Sequence, residues 1–124
     1  NNLNKNVKIL NFKKNPYPII KKTDLFILSS KYEGLPNVLL EAIVLKKLII
    51  SSDCPTGPRE ILQNGKGGIL FKTRSYLDLY NKIISSNKNK KLNNKKIVYA
   101  YKSLKKYDYN TNLNKYLKII MSFS

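Results

Sequence analysis

The stretch Leu25-Phe26-Ile27-Leu28-Ser29-Ser30-Lys31-Tyr32-Glu33-Gly34-Leu35-Pro36-Asn37-Val38-Leu39-Leu40-Glu41 decides the fold of this 124-residue chain. Its first four residues are an unbroken apolar run ending in two serines, the pattern of a buried strand reaching its carboxyl end. A polar, glycine-containing turn follows. Pro36 then stands at the predicted first position of a helix, which suits proline because the N–H it lacks would be unpaired there. Val38, Leu39, Ala42, Ile43 and Leu45 recur at helical spacing and give that helix an apolar face. Leu48-Ile49-Ile50-Ser51-Ser52 reads as a second buried strand. Strand, loop, helix and strand form a parallel unit, and ligands of such units gather beyond the carboxyl ends of the strands. The loop there offers one carboxylate, Glu33, and the helix another, Glu41.

Working outward, Val7-Lys8-Ile9-Leu10 alternates and predicts a short strand with Asn11–Asn15 as its exit loop. Pro16-Tyr17-Pro18 opens a short helix through about Lys22. Downstream, Asp53-Cys54-Pro55-Thr56-Gly57-Pro58 is a punctuated loop, and Pro58–Leu62 one helical turn. Asn64-Gly65-Lys66-Gly67-Gly68 predicts a tight turn before a last strand, Ile69-Leu70-Phe71. Ser75 caps a helix carrying Leu77, Leu79, Tyr80, Ile83 and Ile84. Past Ser85 the composition shifts to a solvated charge run, Asn87–Lys91, followed by two amphipathic helices expected over Asn94–Tyr107 and Thr111–Met121. Their tyrosines (Tyr99, Tyr101, Tyr107, Tyr109 and Tyr116) read as core and rim residues. The expected organisation is an α/β, Rossmann-like parallel sheet over 1–86, incomplete at its amino end, and a lysine/asparagine-rich helical tail over 87–124.

Composition excludes several chemistries. The chain has no histidine, which removes Ser–His–Asp and Cys–His catalysis and histidine-containing zinc sites. A single cysteine, Cys54, forms no internal disulfide and points to a reducing compartment. No run approaches the ~20 apolar residues of a membrane span. The start, Asn1-Asn2-Leu3-Asn4-Lys5-Asn6, has neither an initiator methionine nor an apolar signal core, so a fragment or processed chain is expected. The net charge of +17 is almost all lysine. A nucleic-acid partner is one reading of it. The even spread of lysine and the presence of only two arginines, Arg59 and Arg74, favour a compositional bias instead. Attraction to an anionic membrane surface fits the charge equally well.

The chemistry of the central loop is that of anion and hydroxyl recognition. Gly34 lets backbone approach a ligand, and the free N–H groups of the helix at Pro36 favour phosphate. Glu41 is acceptor-only when ionised and suits the vicinal hydroxyls of a ribose. Glu33, on the loop, would meet a second hydroxylated group beyond the phosphates. A nucleotide-sugar satisfies this layout. The plainer reading makes Glu33 a solvated loop residue and Glu41 a surface residue of an amphipathic helix, as most glutamates are.

The whole string changes that balance. Glu33-Gly34-Leu35-Pro36-Asn37-Val38-Leu39-Leu40-Glu41 resembles the glutamate–seven–glutamate motif of the retaining, nucleotide-sugar-dependent glycosyltransferases of group 1, which have the GT-B fold. Asn15-Pro16-Tyr17-Pro18, Thr23-Asp24-Leu25-Phe26-Ile27-Leu28-Ser29-Ser30, Ser52-Asp53-Cys54-Pro55-Thr56-Gly57-Pro58-Arg59-Glu60-Ile61-Leu62 and the Asn64–Leu70 turn extend the similarity, which covers roughly Val7 to Ile84. It implies Glu33 as the catalytic-site residue facing the donor sugar, and Gly34, Leu35, Pro36, Asn37 and Glu41 as donor-binding residues, with Glu41 on the ribose. It implies metal-free catalysis and no cofactor beyond a UDP-sugar co-substrate, in keeping with the lack of an Asp-x-Asp pair.

The chain departs from that family's pattern at Asn11 and at Lys46-Lys47, each where a glycine is usual. The resemblance places the acceptor-binding amino-terminal domain, and the donor domain's first strand with its diphosphate-neutralising arginine and lysine, before Asn1. About three-fifths of a donor domain plus a divergent tail is the expectation. It implies a hexosyltransferase-type enzyme moving an N-acetylhexosamine onto a surface or lipid-linked glycan, such as lipopolysaccharide, at the cytoplasmic face of a membrane. Peripheral membrane contact and a partner chain carrying the amino-terminal domain are further expectations, with little activity from this chain alone. A non-catalytic subunit and a basic nucleic-acid-binding protein are the rival readings.

Overall fold

The computed structural model describes residues 2–106 and 109–123. Three parallel strands, β1 (Leu25–Leu28), β2 (Leu48–Ser52) and β3 (Ile69–Phe71), form one sheet in the order β1-β2-β3. Leu25 pairs with Leu48 and Ile50 with Ile69. Parallel neighbours need crossovers, and helices supply them: α2 (Asn37–Val44) between β1 and β2, and the single turn α3 (Pro58–Ile61) between β2 and β3. Helix α1 (Tyr17–Lys21) precedes the sheet, and α4 (Tyr76–Asn87), α5 (Lys90–Ser103) and α6 (Tyr109–Met121) follow it. This is the expected α/β, Rossmann-like arrangement.

β2 is central and buried along all five residues, as its continuous apolar reading requires of a strand covered on both faces. The core joins Leu39, Leu40, Ala42, Ile43 and Val44 of α2 to Ile49 of β2, and to Ile61 and Leu62 at the end of α3. Ala100 of α5 and Leu104 belong to the same cluster, with Leu117 and Ile120 of α6 packed against it. A Cβ on Gly67 would lie 3.1–3.2 Å from Ala100, so glycine there lets α5 come down on the turn before β3.

Four local readings need correction. Residues Val7–Leu10 form no strand. Ile9 is 90% and Phe12 93% exposed, so the segment lacks the neighbouring strand that a ladder needs and the cover that its apolar face needs. Pro36 sits one position before α2, as its N-cap with extended backbone, not inside the first turn. Helix α5 begins at Lys90, four residues ahead of expectation, because the Asn89 side chain accepts the Leu92 N–H and caps it. The charge run is therefore a tight helix–helix corner, though its side chains are exposed as expected. In α4, Ser75 caps as read, but Leu77 and Tyr80 face solvent, and only Leu79 and Ile83 turn inward. Tyr107 and the side chain of Tyr109 lie outside the described residues.

Candidate functional site

The loops leaving β1 and β2 meet at the carboxyl end of the sheet. Ser52, the last residue of β2, donates from Oγ to the Ser30 carbonyl oxygen at 2.6 Å. Cys54, fully buried, approaches the same oxygen with Sγ at 3.1 Å. These bonds fix the exit of β1. The Ser30 hydroxyl then donates to Glu33 Oε1 at 2.5 Å, and the Thr56 hydroxyl to the Glu33 carbonyl oxygen at 2.7 Å. Glu33 is thus held by side chain and backbone, from the loop leaving β1 and from the loop leaving β2. It lines a cleft of about 300 Å3 with Tyr32, Gly34, Pro55 and Thr56.

The two loops touch through glycine. Gly57 has φ +83°, and a Cβ there would lie 2.2 Å from the Gly34 carbonyl oxygen and 2.8 Å from Pro36 Cδ. No other residue fits that approach without moving the loop. Gly34 differs: a Cβ on it would meet nothing within 4 Å. Gly34 also lines the cleft, so protein packing does not explain the glycine. Leu35 and Asn37 are exposed and Pro36 is buried. No side chain caps the start of α2, which leaves its first N–H groups for solvent or a ligand.

Glu41 lies elsewhere. It does not line the cleft with Glu33, and its Oε1 accepts a 3.3 Å hydrogen bond from the Tyr17 hydroxyl of α1. Burial pushes its carboxyl above the ordinary range, and the Tyr17 bond draws it part of the way back. Burial and the facing carboxylate together raise the Tyr17 hydroxyl. Behind the second loop, Arg59 grips Asp53 with Nε at 2.8 Å and Nη2 at 2.5 Å. The guanidinium bond holds the Asp53 carboxyl below its usual range. The Asp53 backbone carbonyl accepts from Thr73, so the pair pins the second loop to the segment after β3. Among the described residues no three His, Cys, Asp or Glu side chains gather as a metal-binding set.

The structure therefore brings Glu33 and Gly34 together in one cleft, sets Pro36 and Asn37 at the start of α2, outside the cleft lining, and puts Glu41 on the α1 side of α2. Tyr17, Ser30 and Thr56 are the positioning partners that sequence reading missed. A hydroxyl just past an apolar strand and a tyrosine in the helix-opening Asn-Pro-Tyr-Pro are signals that could mark two of them, though not what they hold.

The sequence model for glycosyl transferases group 1 matches residues 1–103. The chain belongs to that family. An uncharacterized glycosyltransferase of Methanocaldococcus jannaschii is 51% identical over 61 residues, 49% of this chain. The N,N'-diacetylbacillosaminyl-diphospho-undecaprenol alpha-1,3-N-acetylgalactosaminyltransferase of Campylobacter jejuni is 34% identical over 101 residues, 82% of this chain. The chain spans 15% and 27% of the lengths of these two relatives. Among solved structures, TarM superposes with a TM-score of 0.77 at 25% identity, over 96% of this chain and 24% of its own. Group 1 membership thus covers the sheet, the cleft and α5. Among the described residues no helix is long and apolar enough to cross a membrane.

Proposed function

We propose that this chain is the donor-binding part of a group 1 glycosyltransferase that moves an N-acetylhexosamine from a UDP-sugar to a surface- or lipid-linked glycan with retention of configuration. The observation that carries the reading is the cleft at the carboxyl end of β1 and β2. There Glu33, held by Ser30 and Thr56, stands beside Gly34 and the uncapped start of α2. Diphosphate would lie at the helix start, where oriented N–H groups and the dipole stabilise the charge that develops as the sugar–phosphate bond breaks. That stabilisation needs no metal. Glu33, acceptor-only when ionised, would face the sugar hydroxyls, and Glu41, steadied by Tyr17, the ribose. The N-acetylgalactosaminyl and diphospho-undecaprenol in the name of the Campylobacter relative support the sugar and acceptor classes. A lysine-rich surface supports a place at the cytoplasmic face of an anionic membrane.

The test is a UDP titration at about 0.3 M salt, where long-range attraction of polyanions by a strongly basic chain is screened. Saturable binding that shifts the amides of Gly34 and Asn37, and that Glu41→Ala weakens about tenfold, is the expected result. Binding no tighter than that of inorganic pyrophosphate, and unchanged in Glu41→Ala, would overturn the donor-site reading and leave a non-catalytic subunit.

A further inference from the structure

At the opposite end of the sheet from these loops, where β3 begins, an open cavity of about 490 Å3 lies between the Asn64–Gly68 turn, α4 and α5. Two lysines line it, Lys82 from α4 and Lys96 from α5, and both are half-buried. Lys96 donates from Nζ to the Gly65 carbonyl oxygen. Burial lowers the basicity of Lys96, and the nearby Lys82 lowers it further. The cavity lining contains no carboxylate. No acidic residue occurs between Asp78 and Asp108, and the one ion pair among the described residues is Asp53–Arg59.

Burial and the neighbouring Lys82 charge both disfavour the Lys96 ammonium, and the cavity lining supplies no counter-charge. Asn89 has its side-chain oxygen engaged by the Leu92 N–H, which leaves its NH2 group as a further donor at the cavity wall. One kind of ligand answers both cavity lysines together. A singly charged carboxylate would leave one ammonium uncompensated, whereas a phosphoryl group carries enough charge for both and accepts from several donors at once.

We propose that this cavity binds a phosphoryl anion, either free phosphate or diphosphate or the phosphate of an anionic lipid head group, with Lys82 and Lys96 as its charged partners. The site is independent of the donor cleft.

The experiment titrates the chain with inorganic pyrophosphate at about 0.3 M salt, with amide shifts at Gly65, Ser85 and Asn89 as the readout. In parallel, the chain is mixed with phosphatidylglycerol vesicles and with neutral phosphatidylcholine vesicles. Lys82→Gln is the main variant, because Lys82 takes no part in fixing the Gly65 turn, and Lys82→Gln/Lys96→Gln is the second. Lys13→Gln, on an exposed segment, matches the change in net charge. Saturable shifts at those three amides, weakened about tenfold by Lys82→Gln and left unchanged by Lys13→Gln and Glu41→Ala, establish a soluble anion as the ligand. Binding to the anionic vesicles alone, with the same dependence on Lys82, establishes the lipid source. Equal losses in Lys82→Gln and Lys13→Gln, or neither saturable shifts nor preference for anionic vesicles, would overturn the proposal. Glu41→Ala separates the two sites: loss of UDP binding with this response intact tells against neither.

Discussion

Glu41 holds its carboxylate half-buried against the Tyr17 hydroxyl, and burial outweighs that hydrogen bond in setting its proton affinity. Its pKa is therefore higher in the folded chain than in the unfolded one. Such a group adds stability below the unfolded carboxylate pKa, and that contribution is lost as pH rises through the folded value. At neutral pH the ionised group is a small liability, small because solvent still reaches most of it. Glu41→Gln keeps an acceptor for Tyr17 and removes the charge. We expect its Tm to lie slightly above that of the parent at pH 7, with the gap closing as pH falls below the ordinary carboxylate range. If the same variant also binds UDP more weakly, the residue is held ionised for binding and not for folding. A Tm below the parent's at pH 7 would instead make the charged Tyr17–Glu41 pair a net stabiliser. Gly57 gives a second test at this scale. Gly57→Ala places a methyl group 2.2 Å from the Gly34 carbonyl oxygen at a positive φ. Urea melts should show a loss of roughly 2–3 kcal/mol, with amide shifts spreading into the Glu33–Pro36 loop.

At the scale of elements, local chemistry was legible wherever one residue does the work. Pro58 at the start of α3, the Ser75 cap and the buried run of β2 read directly, because each acts through its own backbone position, whereas β1 is a strand as read but not a buried one: it lies at the sheet edge with Ile27 39% exposed. Lys46 shows a helix-capping rule holding without glycine. Its φ is +55°, in the left-handed region that glycine enters without strain. Its N–H bonds to the Ile43 carbonyl and that of Lys47 to the Ala42 carbonyl, the double closure of a Schellman motif. The Lys46 ammonium lies 4.9 Å from the Tyr101 ring centroid, a contact that offsets part of the left-handed strain. Lys46→Gly and Lys46→Ala both lose that contact, but only glycine relieves the backbone. The glycine variant should therefore be about 1 kcal/mol more stable than the alanine variant by chemical denaturation. Equal stabilities would mean that the strain is negligible. What the sequence hid is non-local. Val7–Leu10 has a strand's pattern and no partner, and pattern alone does not reveal the neighbour. The Tyr17–Glu41 bond and the Gly34–Gly57 contact likewise join distant positions, so Glu33 could be nominated from its motif while the residues that hold it could not.

For the whole molecule the governing quantity is charge. Twenty-four basic residues face seven acidic ones, and the Asp53–Arg59 pair is the one salt bridge among the described residues. Folding concentrates those lysines on a smaller surface than the unfolded chain offers, so self-repulsion works against the compact state. Screening weakens the repulsion: the Debye length falls from about 30 Å at 0.01 M to about 10 Å at 0.1 M. The Tm should accordingly rise by several degrees on adding sodium chloride from about 0.01 M to about 0.3 M, which is opposite to the response of a chain held together by surface ion pairs. A flat or falling Tm would mean that the lysines are too dispersed to repel. Phosphate at matched ionic strength separates screening from binding. Screening alone gives the two salts similar curves, apart from a general phosphate effect through exclusion from the surface. A ligand of the folded state adds stability that grows with the logarithm of its concentration above Kd. An excess rise in phosphate that Lys82→Gln removes and Lys13→Gln retains belongs to the cavity between α4 and α5, because exclusion does not distinguish one lysine from another.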